Sequence, residues 1–331
     1  MTISWTTFTL DSDPTVWGRS KSKLQVGADA KIETKSYYKD DDYELYSYHA
    51  VVSGLTANTE YFYKVRNADH KHFQSGVSSF TTARAAGDDS PFTIAVYGDL
   101  GADDNSVATN KYVNTLVDEV DFVYHLGDVS YADNSFLTAE NVFGFYYEQV
   151  YNKFMNSMTN VMRQMAYMTD YSNALINAYF TNREYGNFGD QLAWLEADLK
   201  AADANRDQVP WLIVGMHRPM YTIRSCSADG VLNNDYEALN VQEAFEELFI
   251  KYNVDLVLQV HVHAYERHYP TANSSAVTDG VSEDGTSYTN PKGTGVRDFR
   301  VCGGSRGFVQ VRESAVAGLV GADGQHALRD Q

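Results

Sequence analysis

The sequence predicts two domains of different class: an all-β sandwich first, then an α/β domain of layered β-sheets flanked by helices. Three observations carry this. Residues 1 to 84 alternate apolar and polar side chains and show no helical period. From Phe92 onward, short apolar runs take turns with stretches whose apolar residues recur every three or four positions. Between them lies "RAAGDDSP", residues 84 to 91, small and polar enough for a linker. The boundaries expected are therefore 1–84 and 85–331.

In the first domain "MTISWTTF", "YELYSYHAVVSGL", "LTANTEYFYKVRN" and "GVSSFTTA" read as strands. The third puts Tyr61 and Tyr63 on one face and Phe62 on the other. Nothing in this half looks chemical, and Trp5 and Tyr63 are expected to pack.

In the second domain the buried strands are "FTIAVYGD", "DFVYHLGD", "PWLIVGMH" and "VDLVLQVHVH". Helices are expected between them. One carries Val113, Leu116, Val117 and Val120; the next carries Leu192, Leu195 and Leu199, with Asp190 as its N-cap. The last carries Phe245, Leu248, Phe249 and Tyr252.

Composition narrows the function. Apolar residues make up 44% and charged residues 21%, which is a globular balance. The net charge of −18 speaks against nucleic-acid or anionic-membrane partners, which need basic surface. No apolar run is long enough to span a bilayer, and "MTISWTTFTL" is not a signal peptide. Cys226 and Cys302 permit one disulfide without implying it. "NSS" at Asn273 is a glycosylation sequon.

The four strand ends carry one kind of chemistry. Asp99 ends the first run. Asp128 ends the second, with Tyr131 three residues on; His217 ends the third; His261 and His263 end the fourth. Carboxylates, a phenol and imidazoles are metal ligands, expected at one edge of one sheet. Oxygen donors suit a trivalent iron, and imidazoles suit zinc, iron or another divalent ion. Gly98 and Gly127 would let the backbone turn tightly before each aspartate. His125, inside "VYHLGD", reads as a core histidine.

"GDLG" at 98, "GDVSYAD" at 127, "VGMHRPMY" at 214 and "HVHAYER" at 261, in that order, resemble the purple acid phosphatases of the calcineurin-like metallophosphoesterases. The resemblance runs from about residue 3 to 293 and includes "YGNFGDQLAWLEADLKAA". It implies a fibronectin-III-like first domain and a metallophosphoesterase second domain. It implies that Asp99, Tyr131 and His263 bind Fe(III), that Asp128 bridges, and that His217 and His261 bind a divalent ion (Zn, Fe or Mn). The implied activity is acid phosphatase, hydrolysing small phosphate monoesters by a metal-activated hydroxide. The implied setting is a secreted glycoprotein.

Three departures stand beside that match. The family's Asn-His motif is absent: no Asn-His pair occurs in the chain, so no catalytic residue is assigned, and a segment is expected to be missing near 168/169. Val260 stands where the family has a glycine before His-x-His. From about residue 294 the pattern stops, and "GVRDFRVCGGSRGFVQVRESAVAGLVGADGQHALRDQ" shows no clear strand or helix period. The start looks like the inside of a first-domain strand. Two readings remain: a phosphatase of impaired activity, or an inactive phosphatase-like remnant acting as a binding module.

Overall fold

The computed structural model describes residues 1–8, 10, 15–20, 23–26, 31–39, 44–66, 75–88, 90–132, 145–169, 189–222, 236–261, 267–283, 287–289, 296–300, 309–312 and 319–320. His263, Cys226, Cys302 and the stretch after Thr169 lie outside them. The chain forms two compact units, Met1–Asp88 with Arg163–Met165, and Asp89–Met162 with Ala166–Gln331.

Among its described residues the first unit has seven strands: β1 (Thr2–Thr7), β2 (Thr15–Ser20), β3 (Lys23–Val26), β4 (Lys31–Lys39), β5 (Glu44–Val51), β6 (Glu60–Arg66) and β7 (Ser78–Thr81). They make two sheets, ordered β1-β5-β4 and β3-β2-β6-β7. All their pairings are antiparallel. Ile3 and Ala50 from one sheet meet Val16, Tyr61 and Phe80 from the other in one buried core. Tyr63 packs against the same core, as its spacing from Tyr61 predicts, and Trp5 stacks on Tyr48 with ring centroids 5.1 Å apart. The sequence reading missed β2, β3 and β4. β4, "KIETKSYYK", shows no clean apolar alternation in sequence, and it is defined by its antiparallel pairing along β5.

Among its described residues the second unit has two larger sheets and two strand pairs. β8 (Thr93–Tyr97), β10 (Phe122–His125), β12 (Ala166–Thr169) and β19 (Val309–Arg312) are ordered β12-β10-β8-β19. β13 (Ile213–Met216), β14 (Leu256–Gln259), β15 (Arg267–Ala272), β16 (Ser275–Ala276) and β18 (Val296–Arg300) are ordered β13-β14-β18-β15-β16. Two short pairs, β9 (Leu100–Gly101) with β11 (Val129–Ser130) and β17 (Ser287–Tyr288) with β20 (Leu319–Val320), complete the strands. β8, β10 and β12 run parallel, as do β13, β14 and β18. Parallel neighbours buried on both faces explain the unbroken apolar runs.

Helices Val107–Val113, Phe145–Ser157, Thr159–Met162, Gly189–Asp203 and Tyr236–Lys251 join these strands. Leu199, Phe245, Phe249 and Tyr252 are buried in one cluster, with Leu192, Leu195 and Leu248 packed against it. That is the face their helical spacing predicts. Among the described residues no helix is long and apolar enough to cross a membrane.

Four expectations change. The ligand-bearing strands lie in two sheets, not at the edge of one: β8 and β10 in the first, β13 and β14 in the second. Strand–helix alternation is the same for either arrangement. The helix of residues 107 to 120 stops at Val113 and continues as a 3-10 turn, Leu116–Asp118, with Val113, Leu116 and Val120 still buried. Asp190 is the second residue of its helix, not the N-cap. The tail is not without strands: β18 adds to β14 and β15, and β19 pairs with β8. "VQVR" does alternate and "VRDFR" does not, and flanking Gly, Arg and Ala hide segments so short.

Candidate metal centre

β8 delivers Asp99 through a close approach. A Cβ on Gly98 would stand 2.8 Å from Val260 Cγ1 and 2.9 Å from the Leu126 carbonyl oxygen, so only glycine fits. Gly98 is thus required by packing, whereas Gly127 takes the positive φ, +80°. The strand ends are tied to each other: Leu126 N–H donates to Tyr97 O (2.7 Å) and Asp99 N–H to Gly127 O (3.1 Å).

The backbone at the predicted ligands is strained. Asp99 (φ 53°), Asp128 (φ 46°), Tyr131 (φ 52°) and His261 (φ 74°) are all left-handed, and so is Ser130 (φ 71°). Non-glycine residues rarely take this region, at a cost of about 1–3 kcal/mol each. Val260 keeps an ordinary φ; the turn falls on His261 instead.

Packing then brings the side chains together. Asp99 is 1% exposed. Its Oδ1 accepts from the Tyr131 hydroxyl (3.0 Å) and its Oδ2 from the His261 backbone N–H (2.8 Å). His217 Nδ1 lies 3.0 Å from the Leu126 carbonyl, which can only accept, so Nδ1 carries the proton. Nε2 therefore presents its lone pair, and it is a buried atom with no hydrogen-bond partner, 3.5 Å from Asp128 Oδ2. The His217 and His261 ring centroids are 5.1 Å apart. Ligand atoms of Asp99, Asp128, His217 and His261 all lie within 4.8 Å of one another.

This cluster fits a metal ion. Two aspartates share a small buried space, where charge needs a counter-charge. An orphaned imidazole nitrogen, fixed in its ligating tautomer by a carbonyl, faces one of them. The Tyr131 phenol is pushed well above the usual tyrosine range, first by burial and then by the charges of Asp99 and Asp128. Without a cation it stays a phenol and donates; a cation reverses that balance.

Around the cluster the loop after β13 is pinned. Val260 N–H donates to His217 O (3.2 Å), Met220 N–H to the Gln259 side chain (3.1 Å), and the Tyr221 hydroxyl to Glu246. Sequence reasoning passed over Arg218, which is 8% exposed with Nη1 2.6 Å from His261 Nε2. The sequence shows only that it directly follows a candidate ligand, not that it is buried. His125 is fully buried, as expected, with Nδ1 2.8 Å from the Tyr167 hydroxyl, but its Nε2 has no hydrogen-bond partner. Burial holds its pKa down at about 3. Asn273 sits exposed in the turn between β15 and β16.

The family model "Purple acid Phosphatase, N-terminal domain" matches residues 1–82. That of the calcineurin-like phosphoesterases matches 92–265, which brackets every candidate ligand. Purple acid phosphatase 5 of Arabidopsis thaliana is 30% identical over 307 residues, covering 85% of this chain and 71% of the relative. The chain belongs to the purple acid phosphatase family. A phosphoenolpyruvate phosphatase of Allium cepa is 29% identical over 82% of this chain, and the chain spans 60% of that relative's length. A purple acid phosphatase from yellow lupin seeds shares the fold at a TM-score of 0.66 and 19% identity, over 94% of this chain and 67% of that one. Membership in the purple acid phosphatases accounts for both the two-sheet second unit and the antiparallel sandwich before it.

Proposed function

We propose that this chain is a metal-dependent acid phosphatase acting on small phosphate monoesters. The observation that carries the reading is the buried Asp99–Asp128–His217–His261 cluster, with His217 Nε2 orphaned and held ready to ligate. Asp99, Tyr131 and His263 would hold Fe(III), whose hardness suits a carboxylate and a phenolate. Asp128 would bridge with its two oxygens, and His217 and His261 would hold a divalent ion (Zn, Fe or Mn).

When bound, two such ions supply positive charge for a phosphate dianion and acidify a water for attack at phosphorus. The chain's own residues prepare this. Leu126 O keeps the proton of His217 on Nδ1. Asp99 accepts the hydrogen bond that orients the Tyr131 hydroxyl. The His261 N–H holds the second oxygen of Asp99 in place. The domain division, secretion and glycosylation at the exposed Asn273 belong to the same reading.

The test is hydrolysis of an aryl phosphate at acid pH by iron- and zinc-loaded protein, with metal content measured alongside. Metal uptake with turnover, both lost in His217→Ala, is the expected result. Two bound ions without turnover would favour the inactive binding module, consistent with the absent Asn-His motif.

A further inference from the structure

Arg218 Nη1 lies 2.6 Å from His261 Nε2, and Arg218 is almost fully buried. A guanidinium has five N–H donors and no acceptor. His261 Nε2 must therefore accept, which leaves the ring proton on Nδ1. In that tautomer neither ring nitrogen offers a free lone pair. An ion on Nε2 would have to displace the guanidinium. An ion on Nδ1 would move the proton to Nε2, where it would face the N–H of Arg218. Either way the contact and ligation by His261 exclude each other. His217 differs, because its carbonyl partner leaves Nε2 available.

We propose that Arg218 competes with the second metal ion for His261, and that its guanidinium supplies the second positive charge of the site. This rests on the metal-centre reading above. The centre then holds one ion firmly, and beside it a fixed cation whose planar fork matches phosphate oxygens. Only a high concentration of the divalent ion drives Arg218 off.

Zinc titration of the full iron-loaded chain tests this, followed by calorimetry and metal analysis. Arg218→Gln and Arg218→Met should bind the second ion at least tenfold more tightly than wild type, with iron content unchanged. Second-ion affinity equal to or weaker than wild type in both variants overturns the competition and leaves the metal-centre reading standing. Uptake of no ion by any form sinks both. A second readout needs no substituted protein beyond an assignment control. Nitrogen-15 histidine spectra of the metal-free wild type, assigned with His261→Ala, should show the His261 proton on Nδ1. A proton on Nε2 overturns the proposal.

Discussion

Val260 Cγ1 lies directly over the α-carbon of Gly98, so the strand ends that carry His261 and Asp99 meet backbone to side chain. Gly98→Ala should therefore destabilise by about 1–3 kcal/mol, as overpacking does. Val260→Ala should relieve only part of this, because the Leu126 carbonyl stands as close and cannot be trimmed. Urea unfolding of both single variants and the double would show a coupling above about 0.5 kcal/mol. Simple additivity would mean that the two side chains do not meet.

Tyr131 offers a spectroscopic test. Its phenol keeps its proton through burial and two carboxylates, so iron uptake on the proposed Tyr131 ligand would expel that proton. Iron-loaded wild type should show a broad visible band that Tyr131→Phe abolishes. Iron titration at pH 6 in buffers of different ionisation enthalpy should release one proton fewer in the variant. Equal proton release with an unchanged band would remove Tyr131 from the ligand set.

Asp128 should trade stability against metal. Its side chain is 10% exposed and shares the cluster with Asp99. Asp128→Asn removes one of two close negative charges, so the metal-free variant should melt higher, by about 2 °C per kcal/mol gained. The stabilisation that wild type gains from added metal should vanish in it. A lower melting temperature for the metal-free variant would show that the hydrogen bonds of the Asp128 carboxylate outweigh its repulsion by Asp99.

His125 sets a pH limit. Its folded pKa of about 3 lies below the 6.5 of the unfolded chain. Between those values the unfolded state binds the extra proton, so stability falls as pH falls from 6.5 towards 3. The slope approaches ~1.4 kcal/mol per pH unit for this one group. His125→Asn keeps a donor near the Tyr167 hydroxyl and should flatten that slope in melts from pH 7 to 4. An unchanged slope would assign acid sensitivity to other groups.

Much of the centre was readable in the chain. Apolar runs ending in Asp99, Asp128, His217 and His261 named the residues that the fold gathers into one cluster, because a buried parallel strand has to be apolar until it reaches its carboxyl end. Which sheet each run joins was not readable, since a crossover helix looks alike in both cases. Arg218 was hidden for a related reason: a charge beside a histidine looks exposed until the tertiary fold buries it. The strained φ of Asp99 and His261 leaves no mark either, as neither residue is the glycine that usually signals such a turn. β19 was missed because a pairing partner distant in sequence decides strand formation there, and β4 because its hairpin with β5, not apolar alternation, defines it.

The hydrogen bond from His261 N–H to Asp99 joins residues 162 positions apart in the chain. Closing so long a loop is slow and comes late, after both sheets have their strands. No nascent fragment that stops short of His261 can assemble this cluster. Metal capture is thus a report on completed folding of the second unit. An ion that binds only the finished site pulls the folding equilibrium towards it by mass action, so refolding yield should rise with ion concentration and not depend on when the ion is added.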